Sequence, residues 1–185
     1  MTNLIDSYLL FRLKTKRDPE AFARIYDRYV EAIYRFVILK LPSQEEAQDV
    51  TAETFTRTWQ YVNENKKITN IRAFLYRIAR NLVADRYRNP ENLQIDRSVT
   101  FGDENTSSII EPSDQEHGKR VVEARADLSL VLQKLERLKE DYRDVLTLRL
   151  IDDLPFGVIA EILEKNIGNV RVIYHRALKA LKEIE

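Results

Sequence analysis

Between Ile167 and Lys182 the chain carries four basic side chains, Arg171, Arg176, Lys179 and Lys182, and no acid. In the same stretch Val170, Ile173, Tyr174, Ala177 and Leu181 recur at i, i+3, i+4, i+7 and i+11, the spacing of one buried helix face. The cations then fall on the opposite side, together with Asn169, Val172 and His175. A basic, acid-free face suits phosphate contact, and an arginine on it can pair bidentately with guanine in a major groove. Upstream, Ile159, Ala160, Ile162 and Leu163 predict a shorter amphipathic helix, with Gly168 in the break between the two. Two short helices around a tight polar turn form the pattern of a DNA-reading helix-turn-helix. An ordinary helical hairpin with a solvated basic face fits the same spacing.

Charge is segregated elsewhere too. From Lys66 to Arg88 seven bases (Lys66, Lys67, Arg72, Arg77, Arg80, Arg86, Arg88) face one acid, Asp85, a net +6. The stretch just before it, Ser43 to Glu64, carries Glu45, Glu46, Asp49, Glu53 and Glu64 against Arg57, a net −4. Neighbouring segments of opposite sign point to two different partners, although the chain as a whole has zero formal charge.

The elements that must position these groups read as helices. Asp18-Pro19-Glu20 starts one, with aspartate as N-cap and proline at the first helical position. Phe22, Ile25, Tyr26, Tyr29, Ile33, Phe36, Val37 and Leu41 then follow at helical spacing, and Pro42 ends the run. Ser43 with Glu46 reads as a capping box opening the acidic helix, which stops near Asn63. After a polar loop from Asn63 to Thr69, a basic helix places Ile71, Phe74, Leu75, Ile78, Leu82 and Val83 inward. Pro90 breaks that pattern, and the next thirty residues are acidic and lack apolar periodicity. Further helices are expected around Val122 to Leu138, Asp141 to Ile151, Pro155 to Glu164 and Ile167 to Ile184. The expectation is an all-α chain of two small helical domains joined by a flexible acidic linker. The boundaries are residues 1–89, 90–120 and 121–185, the last domain a helix-turn-helix.

Only four glycines and five prolines in 185 residues leave little material for β-turns. The absence of cysteine excludes disulfides, thiolate metal sites and a cysteine nucleophile. No apolar run approaches the roughly 20 residues that cross a bilayer, so no membrane partner is expected and the cytoplasm is the expected location. There is no glycine-rich phosphate loop and no paired His with Asp/Glu, and Asp152-Asp153 reads as a solvated turn. No catalysis, metal or cofactor is therefore expected.

Four stretches, DPEAFARIYDRYVEAIYRF, EEAQDVTAETFTRTW, IRAFLYRIARNLVADRYR and LKEDYRDVLTLRLIDDLPFGVIAEILEKNIGNVRVIYHRALKAL, resemble the extracytoplasmic-function sigma factors of bacterial RNA polymerase. Their order and their separation by an acidic linker match that family, whose first block is region 2 and last block region 4. The resemblance implies promoter recognition and transcription initiation, with core RNA polymerase and promoter DNA as partners. Family members are often held inactive by an anti-sigma factor, a partner that the resemblance admits without identifying. It implies polymerase contact through Asp49, Glu53, Arg57 and Trp59, though Trp59 fits core packing equally well. It implies minus-ten recognition as single strand by Asn63, Lys66, Lys67, Arg72, Tyr76, Arg77, Arg80 and Asn81, with Tyr76 free to stack on a base. It implies minus-thirty-five duplex recognition by Asn169, Arg171, Val172, His175, Arg176 and Lys179, Arg171 foremost. It also implies polymerase contact by region 4 at Arg149, Leu146 and Leu150, though Leu146 and Leu150 fit core packing equally well. The chain departs from the family pattern in three places: Pro155-Phe156-Gly157 in place of Ser-aromatic-acid, Glu164 for a turn glycine, and Ala52 for glutamine. The alternative is a helix-turn-helix transcriptional regulator that acts without being a polymerase subunit.

Overall fold

The computed structural model describes residues 4–64, 66–88, 133–135 and 137–184. Among these residues every regular element is helical. The expected linker and most of the helix expected around Val122 lie outside them.

Helix α1 (Leu4–Lys16) buries Leu9 and Leu13, and is tied to the next helix through a buried carboxylate. The Tyr29 hydroxyl donates to Asp6 at 2.6 Å, and Arg28 pairs with the same group at 3.2 Å. Helix α2 (Pro19–Ile38) starts where Asp18 accepts from the Glu20 N–H at 3.0 Å, and it buries Ala21, Ile25, Tyr29, Ile33, Phe36 and Val37. Helix α3 (Gln44–Asn63) starts where the Ser43 hydroxyl oxygen accepts from the Glu46 N–H at 3.2 Å. Only that half of the expected capping box forms. Glu46 is buried, its Oε2 lacks a hydrogen-bond partner, and burial raises its pKa above the ordinary carboxylate value. The inward face of α3 carries Thr51, Thr54 and Thr58, whose hydroxyls donate to the carbonyls four residues back at 2.7 Å. Polar side chains satisfied within their own helix can be buried without an outside partner. Helix α4 (Ile71–Arg88) is capped by Asn70, whose Oδ1 accepts from the Ala73 N–H at 3.2 Å.

The C-terminal elements are shorter. Helix α5 (Glu140–Leu146) continues into one π-helical turn, Thr147–Ile151, closed by the Asp152 N–H on the Thr147 carbonyl at 3.1 Å. Helix α6 (Phe156–Leu163) begins at Pro155 without a side-chain cap and ends at Glu164, which takes the left-handed conformation at φ 54°. Helix α7 (Ile167–Glu183) is capped by Asn166, which accepts from the Asn169 N–H at 2.7 Å.

The two helical blocks are not held apart. One contiguous apolar cluster runs from Leu9 and Leu13 through Phe36, Leu75 and Tyr76 to Leu148, Ile159, Ile162 and Ile173. Along this seam α4 lies against α6. A smaller cluster, Leu135, Leu138, Leu146 and Ala177, holds α5 to α7.

Candidate polymerase and nucleic-acid interfaces

Helix α7 is held by its buried residues Val170, Ile173 and Ala177, which leaves Asn169, Arg171, Val172, His175, Arg176 and Lys179 all exposed along it. The Phe156 ring, at the start of α6, packs edge-on against Tyr174 at 5.4 Å. It takes the Arg171 guanidinium at 5.9 Å and that of Arg149 at 5.4 Å. The aromatic ring therefore orients Arg171 at the rim of the motif without burying its donors. Arg149 is engaged locally, with Asp153 at 3.0 Å and the Leu154 carbonyl at 3.2 Å. Leu150 is exposed while Leu146 is buried, so only the former is open to a partner.

The outer side of α3 is also open. Asp49, Ala52 and Arg57 are exposed, and Arg57 reaches Glu53 at 2.6 Å. Arg86 approaches the second oxygen of Glu53 at 3.9 Å. Trp59 is half-buried and packs on Phe22 with ring centroids 4.9 Å apart, so its role here is to join α3 to α2.

Helix α4 and the loop before it divide into two groups. Asn63, Lys66, Lys67 and Asn81 are exposed, with Lys66 paired to Glu64 at 2.5 Å and lying 5.2 Å from the Tyr61 ring centre. Arg72 packs over the Tyr29 ring at 5.8 Å inside the first block. The remaining groups face the C-terminal block. Asn70 donates to Glu161 at 2.7 Å, and Arg77 reaches Glu164 at 3.3 Å. Arg80 binds Asp144 at 2.6 Å, with Glu140 at 3.4 Å and Asp141 at 3.7 Å.

Tyr76 corrects the expectation of an exposed stacking ring. Only 1% of it is accessible, and it packs edge-on against Phe36 at 5.2 Å. Burial, reinforced by the Asp152 carboxylate, raises its hydroxyl pKa well above the ordinary value. Asp152 corrects a second expectation. Its side chain is buried rather than solvated, and Arg35 binds it through Nε at 3.2 Å and through a terminal nitrogen at 3.0 Å. Asp153 remains exposed.

At the centre of the seam Asp144 sits between Lys40 and Arg80, with the Lys40 side chain 5% exposed and that of Asp144 1%. Lys40 also lies 4.6 Å from the Phe36 ring centre, and its carbonyl accepts from the Tyr87 hydroxyl. Burial lowers the Lys40 pKa, and Asp144 opposes that shift. This cluster was not foreseen, because Lys40 and Asp144 are 104 positions apart and neither belongs to a local motif.

Comparison with known proteins bears on what these surfaces do. The Sigma-70 region 2 family matches residues 25–91, and the Sigma-70 region 4 family matches residues 128–181. The ECF RNA polymerase sigma factor SigW of Bacillus subtilis is 33% identical over 174 residues, covering 91% of this chain and 90% of SigW. The ECF RNA polymerase sigma-E factor of Escherichia coli is 29% identical over 182 residues, covering 96% and 93%. Against the sigma factor BldN of Streptomyces coelicolor the identity is 28% over 168 residues, and this chain spans 61% of BldN's length. The solved structure of CnrH in complex with the cytosolic domain of CnrY shares the fold, with a TM-score of 0.69 at 20% identity over 97% of this chain and 96% of that one. The chain belongs to the extracytoplasmic-function sigma factors, the subunits that direct bacterial RNA polymerase to promoters.

Proposed function

We propose that this chain initiates transcription by gripping a promoter at two places, with no catalysis of its own, in the cytoplasm. Region 2, within residues 1–89, meets core polymerase through the acidic face of α3, where Asp49, Glu53 and Arg57 stand. It then holds the melted minus-ten strand along the loop and α4. Lys66, Lys67 and Arg77 meet phosphates, and Asn63 and Asn81 meet base edges. Region 4, within residues 121–185, reads the minus-thirty-five duplex through α7. There Arg171 makes the base contact, Val172 and His175 lie beside it, and Asn169, Arg176 and Lys179 hold phosphates. Residues 90–120 tether the two grips. The observation that carries this reading is the separation of surfaces within one family member. An acidic face on α3 and a basic face on α7 are both open, and neither is consumed by packing. An anti-sigma factor is a further proposed partner, since the similar CnrH fold was solved with the cytosolic domain of CnrY.

The test is strand contact in a reconstituted holoenzyme. A photoactivatable base placed in the melted non-template strand is expected to cross-link to residues 63–81 with core polymerase present. Lys67→Ala with Arg77→Ala should reduce that cross-link and open-complex formation together. Cross-linking that stays outside this segment contradicts the assignment of α4.

A further inference from the structure

Two reading side chains of α7 lead back to one ring on the neighbouring helix. Among the described residues, the Phe156 ring is the group that engages the Arg171 guanidinium, at 5.9 Å. Its edge-on partner Tyr174, at 5.4 Å, in turn meets the His175 imidazole edge-on at 5.7 Å. The ring is itself held in place. Arg149 lies 5.4 Å from its centre, and that guanidinium is fixed by Asp153 at 3.0 Å and by the Leu154 carbonyl at 3.2 Å. Phe156 and Tyr174 are half-buried against the apolar cluster, whereas Arg171 and His175 are exposed. The stretch from Leu154 to Ala160 carries no acid that could draw Arg171 off the ring, and Asp153 is taken up by Arg149.

We infer that Phe156 sets base-pair specificity in the upstream duplex without touching a base: it is the positioning residue that holds Arg171 directly, and His175 through Tyr174, in the orientation that reads the major groove. The inference rests on the assignment of α7 to the minus-thirty-five duplex. An exposed arginine has many rotamers, and a bidentate pair with guanine uses few of them. A ring contact takes the flat face of a guanidinium and leaves its in-plane N–H donors for the base edge. The side chain is then held near its bound form beforehand, and less freedom is lost on binding. That gain reaches only a duplex with the right base. Phosphate attraction depends on charge, which Arg171 keeps in any rotamer. Phe156 therefore acts on discrimination rather than on attraction. Its reach is two base positions, because Arg171 and His175 stand one turn apart on α7 and are tied to the same ring.

The test uses holoenzyme reconstituted from core polymerase and the full chain, with promoter fragments randomised in the upstream duplex. Arg171→Ala and His175→Ala identify the base pair that each side chain reads. Phe156→Leu keeps an apolar side chain and removes the ring, and is expected to reduce discrimination at both of those base pairs by about two- to fivefold. Affinity for a non-preferred duplex should change by less than about 1.5-fold, with the salt slope unaltered. Phe156→Tyr, which restores the ring, should keep both preferences. Added to Arg171→Ala, Phe156→Leu should have no further effect at the Arg171 base pair. An equal loss on preferred and non-preferred duplexes would mean that the ring only supports the fold. Additive effects of Phe156→Leu and Arg171→Ala would mean that the two act separately. Either result overturns the inference, as does discrimination that survives Phe156→Leu or is lost in Phe156→Tyr. If Arg171→Ala still relaxes one upstream base pair in those cases, the positioning role fails and the assignment of α7 stands. If neither Arg171→Ala nor His175→Ala relaxes any upstream preference, the assignment of α7 fails and the inference falls with it.

Discussion

Replacing Asp144 with asparagine keeps the volume of the side chain and removes the charge shared by Lys40 and Arg80. Arg80 tolerates the loss, because its side chain is a quarter exposed and keeps Glu140 and Asp141 nearby. Lys40 does not, being 5% exposed with Asp144 as its ion-pair partner. Removing one member of a buried pair typically costs 3–5 kcal/mol, and since asparagine keeps one acceptor oxygen the expectation here is about 3 kcal/mol. For a chain of this size that corresponds to a fall in melting temperature of roughly 6–12 °C. The assay is urea and thermal unfolding followed by circular dichroism. The same experiment on Lys40→Met should show a loss of about 1 kcal/mol or less, because Asp144 keeps Arg80 and the desolvation of the ammonium is relieved. The double variant should then be more stable than Asp144→Asn alone, a coupling that an independent pair of sites cannot produce. The pH dependence has a definite sign. A lysine whose folded pKa lies below its unfolded value binds fewer protons when folded, so stability rises with pH through that interval and the deficit of Asp144→Asn narrows toward alkaline pH. An Asp144→Asn chain within about 0.5 kcal/mol of the parent would show that the seam does not rest on this cluster.

Other perturbations act on separate parts of the molecule. Glu164→Gly removes the Cβ from a left-handed position at φ 54° and should stabilise the helix-turn-helix by about 0.5–1 kcal/mol in denaturant unfolding, despite the loss of the screened pair with Arg77. Arg171→Ala should cost about 1–3 kcal/mol on a preferred upstream duplex and relax the preference at one base pair, whereas Arg176→Ala should weaken all duplexes evenly and reduce the salt slope by about 1. Burial raises the Asp152 pKa, so the folded chain takes up that proton before the unfolded chain does. Its contribution to stability therefore grows as pH falls through the raised value and shrinks as pH climbs, and Asp152→Asn should flatten the unfolding profile over that interval.

What could be read from the sequence was whatever local chemistry decides. Asp18-Pro19 and Ser43 announce the starts of α2 and α3 because a capping side chain acts within three residues, and the structure uses both. The apolar stripe of Val170, Ile173 and Ala177 identified the inner face of α7 for the same reason, since helical periodicity is a local property. The left-handed Glu164 stands where the sequence had substituted acid for glycine. Two outcomes could not be read in this way. Tyr76 and Arg80 both sit on α4, but the ring is buried against Phe36 of α2 beside Asp152, and the guanidinium is paired with Asp144, 64 positions away. Asp152 looked like half of a solvated acidic turn, yet its partner Arg35 lies 117 positions earlier. Charge segregation showed that partners exist. It did not show that one block would serve as a partner for the other.

This chain supplies promoter recognition to a polymerase that lacks it. Purified core RNA polymerase, incubated with the chain and a library of promoter fragments, tests it directly. The expected result is a stable complex, lost on charge reversal of Asp49 and Glu53, that initiates transcripts from a defined subset of fragments. A chain that fails to bind core polymerase, or that binds DNA without conferring initiation on any fragment, contradicts it.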